Sequence, residues 1–270
     1  MLIRAGYDIA YQCTQPTPML LTLHVRPERH ADLRSPENFA VTPWVPYRTY
    51  RDSFGNVCTR LVAPAGVTHF TCDFVTFDSG LHEVAPEGAR RVPVEDLPDD
   101  VLIFLLGSRY CETDKLTDLA WSYFGHVAPG WDCVKAISQY AHERIRFDYK
   151  QARPDRSAAD ANYERVGVCR DYAHLAIALC RCMNIPARYC TGYLGDIGVP
   201  LDPNPMDFSA WFEVYLEGRW HSWDARHNHP RIGRILMARG RDATDAALST
   251  AFGSATLVNF TIMTDEIAAA

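Results

Sequence analysis

Along the first 85 residues the apolar positions come in short runs rather than in helical stripes. "YDIAYQC", "MLLTLHVRP", "CTRLVAPAG" and "HFTCDFVTFDS" are rich in Val, Thr and aromatic residues and partly alternate, as half-buried strands do. "DSFGN", Asp52–Asn56, supplies turn chemistry between two of them. The pattern predicts a small β-sandwich or barrel-like domain over residues 1–85. "APEGARRVPVEDLPDD", Ala85–Asp100, is dense in proline and charge and predicts a linker, so residues 86–130 read as linker and helices. Helical patterns follow at "LTDLAWSYFGH", with a candidate cap region at Thr113, and at "DCVKAISQYAHERIRF". Residues 131–270 read as a second unit that ends in "RDATDAALSTAFG", predicted helical, and "ATLVNFTIMTDEI", which alternates like a strand.

The longest apolar stripe lies between Cys169 and Met183, with no Pro or Gly inside it. At about 100° per residue, Arg170, Asp171, His174 and Arg181 fall on one narrow arc, and the broad remainder is apolar. The segment predicts a helix buried on most of its circumference, stopped by "NIP" because proline cannot continue the hydrogen-bond ladder. "ARYCTGYL" leaves it as a strand.

Composition narrows the functional classes. The chain is 47% hydrophobic and 22% charged, which is ordinary for a globular protein. Its net charge of -6 leaves no electrostatic footprint for nucleic acid or an anionic membrane. No run approaches the roughly 20 apolar residues that span a bilayer. Nine cysteines, an odd number without framework spacing, favour reduced thiols and a cytoplasmic location. Cys169, Cys180, Cys182 and Cys190 run C-x10-C-x-C-x7-C, which offers no zinc knuckle. Three of them fall inside a helix or strand, where cysteine acts as a small hydrophobe. Cys169 falls at the helix start, where free N–H groups and the macrodipole favour a thiolate and can hold an oxyanion. Position alone leaves it either a nucleophile or a bystander.

The run "GVCRDYAHLAIALCRCMNIPARYCTGYL", followed by "SAWFEVYLEGRWHSWDAR", resembles the catalytic core of the transglutaminase-like superfamily. The similarity covers about Ala136 to Asp224, and the β region with "DSFGN" resembles the domain preceding this core in a bacterial branch of the family. The resemblance implies an α+β fold: an N-terminal β-sandwich-like domain, then a transglutaminase/papain-like core with a buried helix packed on an antiparallel sheet. It implies Cys169 as nucleophile and Asp224 as the residue orienting a histidine. It implies attack on an amide or ester carbonyl, a thioester intermediate, then hydrolysis or transfer to an amine. The substrate implied is a peptide or protein carrying an amide, with no cofactor or metal.

The family's motif is His-Ala-Trp, and here the matching position is Ser209, which cannot accept a thiol proton near neutral pH. If "SAWFEVYL" and "RWHSWDAR" form a hairpin turning at Glu217 and Gly218, then Trp211 opposes Asp224 and Ser209 opposes Arg226. His221 then points to the other face. His227, three residues beyond Asp224 where the strand ends, is the candidate replacement base; His174, His221 and His229 are weaker ones. Ser209 and Trp211 are candidate substrate-binding residues, whereas Asp171 and Glu213 read as structural. Two other classes remain open: a non-catalytic peptide- or protein-binding descendant, which Ser209 favours, and a metalloenzyme using His221, Asp224, His227 and His229.

Overall fold

Asp52 shows how the β region turns: its Oδ1 accepts from the N–H groups of Phe54 and Asn56 at 2.9 and 2.8 Å, and Gly55 takes φ 78°. The computed structural model describes residues 1–82 and 87–268, so the expected boundary between residues 85 and 86 lies outside the described residues. Before that boundary come β1 (Leu2–Cys13), β2 (Thr17–Leu21), β3 (Ala40–Thr42), β4 (Tyr47–Arg51), β5 (Val57–Ala63) and β6 (Gly66–Phe77). Helices α1 (Asp99–Leu102), α2 (Thr113–Phe124) and α3 (Trp131–Arg144) follow. Then come β7 (Arg146–Phe147), α4 (Ala158–Glu164), β8 (Val166–Gly167) and α5 (Cys169–Cys182). The rest is strand: β9 (Ala187–Leu194), β10 (Ser209–Leu216), β11 (Arg219–Trp223), β12 (Arg234–Gly240), β13 (Ser249–Ala251) and β14 (Ala255–Ile267).

Among the described residues, three four-stranded sheets result, ordered β14-β1-β6-β3, β13-β2-β5-β4 and β11-β10-β9-β12. The fold is α+β, with a β region ahead of a helix-and-sheet core. The carboxyl-terminal strand does not stay with the core expected over 131–270. β14 pairs antiparallel along β1, from Leu2↔Ile267 to Cys13↔Ala255, and closes the first sheet. "RDATDAALSTAFG" also departs from expectation, since it forms turns and then β13 rather than a helix. Its acids bond their own backbone: Asp242 Oδ1 accepts from Thr244 N–H at 2.8 Å, and Asp245 Oδ2 accepts from Arg241 N–H at 2.9 Å. Such local bonds compete with a helical ladder.

α5 lies at the centre of the core, against β9 and β10 on one side and α2, α3 and α4 on the other. Most of its polar arc is buried, with Arg170 partly exposed. Asp171 and His174 are fully buried and Arg181 nearly so. The Arg181 guanidinium donates to the carbonyls of Ala187 and Leu106 at 2.9 and 3.0 Å, satisfying chain ends around it. Along β10, Ala210, Phe212, Val214 and Leu216 enter the helix-side core, so Ser209 and Trp211 take the opposite face. Tyr193 of β9 with Ile235 and Met237 of β12 packs into the β-region core, which joins the two halves.

The start of α5 is fixed by Asp171. Its Oδ2 accepts from Val168 N–H at 2.9 Å and from Arg156 Nη1 at 3.2 Å. Gly167 is required because a Cβ there would come within 2.6 Å of the Asp171 carboxylate. The Asp171→Ala variant removes a helix-start acceptor and leaves Arg156 with Glu164 as its remaining carboxylate partner. We expect a loss of about 3 kcal/mol in unfolding free energy, measured by urea denaturation.

Candidate active site

Cys169 is the first residue of α5 and is 8% exposed. It opens on a cavity of about 690 Å³ between the core and the β region, walled also by Tyr149, Tyr189, Asp207 and Ser209. Burial pushes its thiol up to about 11; Asp207 adds to the rise, while the Arg226 guanidinium and Ala210 N–H pull it back in part. Burial thus works against the thiolate that the position at the helix start is expected to favour. A thiol raised in this way needs a proton acceptor to react as a thiolate.

The β10–β11 hairpin has the expected register. Glu217 and Gly218 turn it with φ 49° and 82°, and Leu216 pairs with Arg219 and Phe212 with Trp223. Asp224 follows β11 directly and is buried. Its Oδ1 accepts from His227 N–H at 3.0 Å, and its Oδ2 accepts from His227 Nδ1 at 2.8 Å and Arg234 Nη2 at 3.0 Å. Burial pushes the Asp224 carboxyl up, but the bonds and charges of His227 and Arg234 outweigh it and hold it well below the usual carboxylate range. The turn is anchored to α3, since His142 Nδ1 donates to Arg226 C=O at 2.8 Å and Ser138 Oγ donates to Asn228 Oδ1 at 2.9 Å.

Within this turn the two side chains diverge. Arg226 lies over the Phe147 ring at 3.8 Å and acts on the Cys169 thiol, whereas His227 turns back to Asp224 and beside His229. The structure thus brings Asp224 and His227 together, but His227 does not line the Cys169 cavity. Among the described residues, no histidine does. Ser209 lines it with a buried Oγ that has no hydrogen-bond partner among the described residues. Trp211 does not wall the cavity; it is 2% exposed, packed on Cys190 and Leu236 with Arg234 over its ring. His174 Nε2 already accepts from Ala243 N–H at 3.1 Å, and burial disfavours its protonated form, so it is a poor proton acceptor for the thiol. Glu213 is structural, bridging Arg188 and Arg239 at 2.6 and 3.0 Å. Among the described residues, no group of three His, Cys, Asp or Glu side chains is placed to hold a metal ion, so the cluster from His221 to His229 does not assemble.

A family model described as the transglutaminase-like superfamily matches residues 123–225, a span that holds both Cys169 and Asp224. A crystal structure from Cytophaga hutchinsonii, provisionally named as a cysteine protease, is 33% identical, with 100% of this chain and 92% of that one aligned at a TM-score of 0.85. The chain belongs to the transglutaminase-like superfamily. An uncharacterised protein of Mycobacterium leprae is 29% identical over 119 residues, and the match spans 42% of each chain. The periplasmic domain of TgpA from Pseudomonas aeruginosa aligns at 15% identity over 83% of this chain and 88% of its own, with a TM-score of 0.43, too weak a likeness to add to the assignment.

Seen as a member of the superfamily, the chain has two site residues that the sequence did not single out for the thiol. Arg226 was placed opposite Ser209 by the hairpin register, so its position was legible although its role was not. Asp207 sits in the loop before β10, two residues from Ser209, and burial pushes its carboxyl up to about 6. Above that pH its charge opposes ionisation of Cys169. The Asp207→Asn variant is expected to lower the Cys169 thiol pKa, read as an acid-ward shift in the pH profile of alkylation by iodoacetamide; an unchanged profile contradicts this.

Proposed function

We propose that this protein hydrolyses or transfers acyl groups of peptide or protein amides through a thioester on Cys169. The observation that supports it is a thiol at the first residue of a buried helix, open to a cavity large enough for a peptide segment. The Cys169 sulfur attacks the carbonyl carbon, the C–N bond breaks, and the amine leaves with a proton; water or a second amine then cleaves the thioester. His227, held by Asp224 through Nδ1, has Nε2 left to accept the thiol proton once the turn brings the ring to the cavity. Arg226 balances the thiolate charge in this scheme. The nine free, buried cysteines fit a reducing compartment such as the cytoplasm.

The second reading is a non-catalytic peptide-binding descendant. It is favoured by Ser209 and by a thiol raised to about 11 with no imidazole on its cavity. Variants separate the two. The Cys169→Ala change is expected to abolish turnover of activated ester and amide substrates, and His227→Gln to lower kcat by about 10²-fold or more. Turnover that survives Cys169→Ala removes Cys169 as the nucleophile, and no turnover by the unaltered protein removes the enzymatic reading. Full activity in His227→Gln keeps the nucleophile but moves the base elsewhere, with Asp207 on the cavity wall next in line.

A further inference from the structure

The cavity above Cys169 has two unlike sides. Ile9, Leu23, Leu248 and Phe260 give it an apolar wall from the β region and the returning carboxyl-terminal segment. Arg109, Arg153 and Arg170 give it a cationic side, opposed by one acid in the lining, Asp207. That is against the trend of a chain whose net charge is -6.

The three arginines are not equivalent. Arg153 is spent on Asp155 and Glu164 at 3.0 and 2.8 Å. Arg109 is exposed, its guanidinium 5.3 Å above the Tyr110 ring, and among the described residues no carboxylate pairs with it. Arg170 follows Cys169 in the chain. Its carboxylate neighbour, Asp171 Oδ1, lies 3.6 Å away while Arg156 holds Oδ2 at 3.2 Å, and Arg170 Nη2 also donates to the Arg153 carbonyl. Arg170 Nε is also buried without a hydrogen-bond partner. A guanidinium fork matches a carboxylate better than it matches a neutral group of the same size.

Resting on the thioester reading above, we infer that the acyl group delivered to Cys169 carries a carboxylate, held by Arg109 and Arg170, with its apolar part against Ile9, Leu23, Leu248 and Phe260. Asp207 is half-buried beside the thiol, so an incoming anion is directed away from it toward the exposed Arg109.

Two esters of matched length test this on the whole chain: the 4-nitrophenyl monoester of glutaric acid and the 4-nitrophenyl ester of pentanoic acid. The expected result is a preference in kcat/KM of about tenfold or more for the glutarate ester, weakened by salt. Arg109→Glu, at an exposed position, is expected to remove that preference without loss of fold, and Arg170→Gln to reduce it. Alkylation gives a readout that needs no turnover. At Cys169 the rate ratio of iodoacetate to iodoacetamide should exceed that of free cysteine, and Arg109→Glu should lower it. Equal handling of the two esters, or an alkylation ratio no higher than that of free cysteine, overturns the acidic specificity while leaving the thiol mechanism standing. Glutarate ester turnover that persists in Cys169→Ala overturns the thioester reading itself.

Discussion

Asp171 has no exposed surface, yet its Oδ2 accepts from Val168 N–H at 2.9 Å and from Arg156 at 3.2 Å, inside a notch that only a glycine at 167 leaves open. A buried carboxylate held this way sets the residue at which α5 begins. Cys169 is that residue, so the place of the sulfur follows from the ion pair rather than from contacts of its own. The apolar body of α5, packed on β9 and β10 and on three helices, then keeps the start from sliding.

The same burial that positions the thiol works against its chemistry. Desolvation and the Asp207 charge favour the neutral sulfur, and Arg226 with Ala210 N–H compensates only in part. Asp224 is the opposite case, a buried carboxylate kept ionised by His227 and Arg234. Acid–base capacity and nucleophile thus sit on either side of one short turn, Asp224 to Asn228. Whether that turn delivers the imidazole decides between an enzyme and a binding protein.

Much of this architecture was legible in the sequence because it rests on local periodicity. The buried α5, its stop ahead of Pro186, the strand β9 that follows it and the turn at Glu217–Gly218 all follow from spacing, and so does the hairpin register that sets Asp224 opposite Trp211. What failed depended on partners distant in the chain or on side chains competing with the backbone. Alternation identified β14 as a strand but not that it would pair with β1. The helix read into "RDATDAALSTAFG" lost to bonds from Asp242 and Asp245 to nearby N–H groups. Spacing put His227 near Asp224, yet it could not show that Arg226 would lie over the Phe147 ring, where its charge lowers the Cys169 thiol, and that His227 would turn back to Asp224. Asp207 lay in a Pro-rich loop without periodicity, which gave no signal for its burial.

The central claim is that Cys169 takes the acyl group onto its sulfur. Rapid acid quench during turnover of an activated acyl substrate, followed by mass spectrometry of the tryptic peptide Val166–Arg170, measures that directly. The expected result is that peptide carrying the acyl mass, lost on treatment with hydroxylamine as a thioester is. Turnover with Cys169 unmodified at every quench time, or with the acyl group on another side chain, contradicts it.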